Sequence, residues 1–288
     1  MNFIDTFPHI LYLHRQVSIN PDKVWDYWEQ YITSAALELK ELVIRDSRSY
    51  SFQTKIKPVL IASLTFDFPR IEAAHKNLLV LLGNITPRFH QIFGLQQKIL
   101  LYFYCGLCNG AGWATIIERK PAILLGAEKI AELAWYDLPH MESLVCHELG
   151  HIAHSLLRGE KLAKKLRLPS EQAVWQLYLE GYAQRQQQML LGYEAYHQDK
   201  NGWLFWCQNN LPAIALEYLA RIETDAIVQD FFGDWTSWRG RSDVGYFLGC
   251  EFIKSLEADL SPQELAGLAL DQLMLLLPNY LRKTAAGI

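Results

Sequence analysis

The chain has 288 residues, half of them hydrophobic, with 31 acids against 27 bases and a formal net charge of -4. That length supports one large domain or two smaller units around a substantial core, and the near balance of charge leaves no basic stripe to neutralise a phosphate backbone, so nucleic acid is not an expected partner. The five cysteines, Cys105, Cys108, Cys146, Cys207 and Cys250, are odd in number and scattered, which argues against a disulfide framework and for a reducing cytoplasm.

Met1 to Asn20 carries Asp5, Pro8 and two histidines before any sustained apolar run, so no export signal is expected. Residues 22 to 45 place Val24, Tyr27, Trp28, Tyr31, Leu37 and Val43 at helical spacing, and 68 to 82 repeats that periodicity after Pro69, so the region 1–97 is expected to be helical. The pattern changes at Lys98. Ile99 to Tyr104, Trp113 to Ile117 and Ala122 to Leu125 are short aromatic and aliphatic runs around a glycine-containing turn, the signature of a small sheet.

Asp137, Leu138 and Pro139 form a helix start, and the periodic run continues to about Leu157. Helical patterning returns over 171–191, 211–231, 244–258 and 262–282, after a polar connection from Arg158 to Ser170. The expected class is α+β, mainly α: a helical region over 1–97, then a small mixed sheet, a long helix and a helical C-terminal lobe within 98–288. Membrane spans are not expected, because no apolar stretch approaches roughly 20 residues.

The informative motif is His147-Glu148-Leu149-Gly150-His151, an HExxH sequence within a helix. Histidines at i and i+4 share a helical face about 6 Å apart along the axis, close enough to ligate one tetrahedral ion. Glu148, next to the first ligand, then reaches the activated water as general base and afterwards general acid. A third ligand is required, and Glu180, on the next helix, is the candidate; Gly181 is expected to let the two helices approach. His154 lies on the same face but about 10 Å from His147 along the axis, which suits a supporting or packed histidine.

These residues, with Glu180-Gly181-Tyr182-Ala183 and Val244-Gly245-Tyr246-Phe247-Leu248-Gly249, resemble the gluzincin class of metallopeptidases, and more closely a group of bacterial zinc-dependent proteases, over approximately residues 98 to 258. The resemblance implies a thermolysin-like core binding one zinc ion, with peptide or protein as substrate. It implies an edge strand near Asn109 to Thr115, with Asn109, Gly110, Ala111, Gly112 and Trp113 meeting an extended peptide, and Tyr246 as donor to the developing oxyanion. Where such enzymes place an aspartate to orient a ligand imidazole, this chain has Gln184, which offers a neutral acceptor. The expected activity is therefore zinc-dependent peptide hydrolysis; the alternatives are an amide hydrolase for a small non-peptide substrate, or a metal-containing peptide-binding protein without turnover.

Other features read more plainly. Cys105-Gly106-Leu107-Cys108 lacks the second cysteine pair of a structural zinc site. Trp203, Phe205, Trp206, Phe231, Phe232, Trp235 and Trp238 read as packing of C-terminal helices. Arg239 and Arg241 read as solvated loop residues, and Glu223, Asp225 and Asp230 as an exposed helical face.

Overall fold

A computed structural model describes residues 1–159, 166–233 and 235–287. The chain is α+β and mainly helical. It divides into two compact units, Met1–Glu148 and Leu149–Ile288. The division falls inside the helix that carries the HExxH motif, whereas the expected boundary at residue 97 lies within the first unit.

The first unit opens with a strand, β1 (Asn2–Asp5), followed by α1 (Phe7–Ile19), α2 (Val24–Ala35), α3 (Leu37–Ser47), α4 (Lys57–Leu64) and α5 (Phe68–Phe93). The periodic run read between Val24 and Val43 is two helices, because Ala36 leaves the helical region. Helix α5 continues well past residue 82 and stops where Gly94 takes a left-handed conformation (φ 66°), a cap that glycine adopts without a Cβ penalty.

The sheet comprises β1, β2 (Leu100–Tyr104), β3 (Gly112–Ile117) and β4 (Lys120–Gly126) in the order β1-β2-β4-β3. β1, β2 and β4 run parallel, and β3 pairs antiparallel with β4. The N-terminal region is thus not purely helical: Asn2 pairs with Leu100, a long-range partnership that a four-residue strand does not advertise by periodicity. β2 is buried along its whole length and β4 from Ala122 onward, which is why both read as continuous apolar runs. Glu118 and Arg119 link β3 to β4 with both φ values positive (49° and 64°), the two-residue turn whose twist matches a hairpin. Helices α6 (Ala127–Leu133) and α7 (Leu138–Arg158) follow.

The second unit takes the last turns of α7, then α8 (Pro169–Leu191), α9 (Trp203–Glu223), α10 (Val244–Leu256), α11 (Pro262–Ala266) and α12 (Leu270–Ala285). Of the expected connection from Arg158 to Ser170, residues 160–165 lie outside the described residues. Helix α9 replaces the helix expected over 211–231: it starts at Trp203 after Gly202, takes Pro212 into its interior and ends at Glu223. The run 262–282 is two helices, since Ala269 is extended. The tryptophans pack as read, with Phe231 stacked on Trp238 and Trp206 edge-on to Trp238, while Phe205 is exposed. Among the described residues, no helix is long and apolar enough to cross a membrane.

Candidate metal centre

Helix α7 starts as the sequence requires. The Asp137 carboxylate accepts the His140 N–H at 3.0 Å, satisfying one of the donors left open at a helix N-terminus, and Leu144, Val145, Leu149 and Ala153 bury its apolar stripe. His147 and His151 then fall one turn apart. His151 Nε2 lies 3.2 Å from Glu180 Oε2, and one ligand atom from each of His147, His151 and Glu180 lies within 4.8 Å of the others. A tetrahedral ion with ligand bonds near 2.1 Å holds its donors about 3.4 Å apart. The two imidazoles and one carboxylate could therefore hold a metal ion, and their donor types are ones that zinc accepts.

Glycines set the backbone spacing around these side chains. A Cβ on Gly150, inside the motif, would stand 2.6 Å from the Ala183 carbonyl oxygen of α8, so this glycine brings α7 and α8 together. Gly181, expected to do so, faces α10 instead: its Cβ would stand 2.2 Å from Gly249 O, and one on Gly249 would stand 2.4 Å from Leu177 O. The reason is angular, since Gly181 follows Glu180 by about 100° around the helix and so turns to a different neighbour from the ligand.

Glu148 is buried, 5% exposed, and its carboxylate lies beside β3: a Cβ on Gly112 would come 2.4 Å from Oε1. Of the residues expected to meet substrate, Gly112 and Trp113 begin β3, whereas Asn109, Gly110 and Ala111 precede it. Asn109 is committed to the loop, accepting from Leu107 N at 2.9 Å and donating to Val43 O and Asp46 Oδ2, each at 2.9 Å. Ala111 O accepts from Gly126 N at 3.0 Å. In the antiparallel register this bond makes alternate residues face β4, so Gly112, Ala114 and Ile116 direct their N–H and C=O groups toward the outer edge of the sheet.

The remaining candidates have defined surroundings. His154 is buried and its Nε2 lies 2.9 Å from Tyr178 Oη, which itself donates to Leu265 O and Ala266 O. The phenol oxygen must then accept, so His154 carries its proton on Nε2. Burial, helped by His151 and Arg158, pushes the His154 pKa down to about 3, and the imidazole is neutral. Gln184 donates from Nε2 to Ala195 O at 2.9 Å, and its Oε1, expected to receive an imidazole N–H, has no hydrogen-bond partner among the described residues. Tyr246 sits half-buried in the first turn of α10, edge-on to the rings of His197 and Phe232. Glu223 pairs with Arg282 at 2.9 Å, and Arg239 lies over the Trp238 ring. Cys105 and Cys108 are buried.

One residue escaped the sequence reading. Glu128, in the first turn of α6, is fully buried, and its carboxylate accepts from Gly106 N at 2.8 Å and Cys108 N at 3.0 Å. Burial raises its pKa to about 7 against the lowering effect of these bonds. The only signal in the sequence is an acid after Gly126 at the start of a helix.

Compared with protein-family models, curated proteins and solved structures, the chain matches none.

Proposed function

We propose that the chain is a zinc-dependent hydrolase that cleaves peptide bonds. The observation that carries this reading is the convergence of His147, His151 and Glu180 within 4.8 Å, with Glu148 following the first ligand in the helix. A zinc ion in such a set acts as a Lewis acid and lowers the pKa of water to near neutrality. Glu148 then takes the proton released as water attacks the carbonyl and delivers it to the departing amine. Its burial keeps competing solvent from that carboxylate, and its position beside Gly112 places it at the start of the strand that receives substrate.

The outward N–H and C=O groups of Gly112, Ala114 and Ile116 suit an extended peptide laid along β3, where main-chain hydrogen bonds give affinity without selecting a side chain. Half-buried Tyr246 is assigned as donor to the oxyanion. All five cysteines are buried and scattered along the chain, in keeping with a reducing compartment such as the cytoplasm.

The decisive experiment measures zinc content and peptide cleavage in the same preparations of wild type, Glu180→Ala and Glu148→Gln. One zinc per chain, weakened by Glu180→Ala and retained by Glu148→Gln, with cleavage lost in both, supports the reading. Full zinc with no cleavage of any peptide pool removes the peptidase assignment, and no zinc uptake removes the site.

A further inference from the structure

The loop from Cys105 to Ala111 connects β2 to β3 and ends where Gly112 meets Glu148. Inside it stands a carboxylate that the hydrolytic chemistry does not use. Glu128 is 0% exposed and spends its two oxygens on the backbone amides of Gly106 and Cys108. The loop is wrapped closely: a Cβ on Gly106 would stand 2.8 Å from Glu128 Oε1, and one on Gly126 would stand 2.4 Å from Gly110 O. Glu128 follows Gly126 by two residues, and Gly126 N donates to Ala111 O. The end of β4 and the start of α6 thus grip the loop at both ends, through one backbone bond and one side chain.

We infer that Glu128 is a positioning residue: its carboxylate fixes the Cys105–Ala111 loop and thereby seats Gly112 against the general base Glu148. This inference rests on the hydrolytic reading for its catalytic consequence only. The physical basis is that two buried N–H groups, at Gly106 and Cys108, have Glu128 as acceptor, and a buried donor deprived of its acceptor costs the full desolvation of that group. Replacing it by glutamine keeps the volume but supplies one acceptor oxygen and an NH2 group, so one loop amide faces another donor. The loop must then shift, and Gly112 shifts with it, because no residue of regular structure separates them. Asn109, bonded to Val43 and Asp46, anchors the outer side of the loop and keeps it folded in the variant.

The test compares wild type with Glu128→Gln in three measurements on the intact, zinc-loaded chain: zinc stoichiometry, amide hydrogen exchange over residues 105–117, and kcat and KM for peptide cleavage. The expected result is unchanged zinc and at least about tenfold faster exchange in the loop, with kcat lowered and KM little altered. Exchange within about twofold of wild type overturns the anchor, and an unchanged kcat overturns its link to Glu148. Should Glu128→Gln fail to fold, Asn109→Ala with Glu128 intact is the second variant: retained protection at Gly106 and Cys108 supports the inference, and loss of it overturns it. A wild type that holds zinc but cleaves nothing removes the hydrolytic reading and, with it, the catalytic half of the inference, while exchange still decides the anchor.

Discussion

One glycine of the first unit and three of the second meet different kinds of neighbour. In the first unit Gly112 faces a side chain, the carboxylate of Glu148; in the second, Gly150, Gly181 and Gly249 face the backbone of adjacent helices. A side chain can rotate away from an added methyl group, whereas a helix backbone moves only with everything packed on it. On the proposed hydrolytic reading the first kind of contact bears on catalysis, whereas the second bears on stability, although nothing in the residue type distinguishes them.

The largest expected effect follows from that contrast. Gly249→Ala, meeting Leu177 O and the Gly181 backbone, should destabilise the second unit by about 3 kcal/mol, measured by denaturant unfolding; a loss below about 1 kcal/mol would mean that the helices yield cheaply. Next is Glu128. Its folded pKa of about 7 lies above the ordinary carboxylate value, so its contribution to stability is fully present below about pH 4.5 and is lost as pH rises through 7. Tyr31, Tyr104, Cys105 and Lys129 interact with it electrostatically, and replacing Glu128 by glutamine should remove roughly 3 kcal/mol of that pH dependence.

His154, in the second unit, has the opposite sign. Its pKa is depressed to about 3, so its contribution is present above the ordinary histidine pKa and is lost as pH falls toward 3. Unfolding of His154→Gln compared with wild type across pH 3 to 7 should show a shallower acid slope. The smallest stability effect is expected from Gly112→Ala, within about 1 kcal/mol, yet cleavage should fall at least about tenfold because the methyl group displaces the base. Equal activity in that variant would break the comparison at its functional end.

The sequence carried the His147, His151 and Glu180 cluster better than its supports. Two histidines and a glutamate are legible because helix geometry converts i, i+4 spacing directly into proximity, and Glu180 follows on the next helix of the same patterning. The partners of the glycines are not legible: Gly150 and Gly181 both lie beside motif residues, and only the packing of three helices decides which one each faces. Glu128 is hidden for a similar reason, since its partners lie 22 and 20 residues earlier in the chain. Strand β1 is too short for periodicity to register, and Pro212, a residue that often opens helices, sits within α9.

The outer edge of β3 has one more consequence. An unpaired strand edge accepts any extended backbone, including that of another copy of the same chain, and Ile116 on this edge is 66% exposed. The charged turn Glu118-Arg119-Lys120, exposed at the far end of the strand, acts as a gatekeeper against such stacking. Neutralising that turn should make this edge a seed for self-association at high concentration.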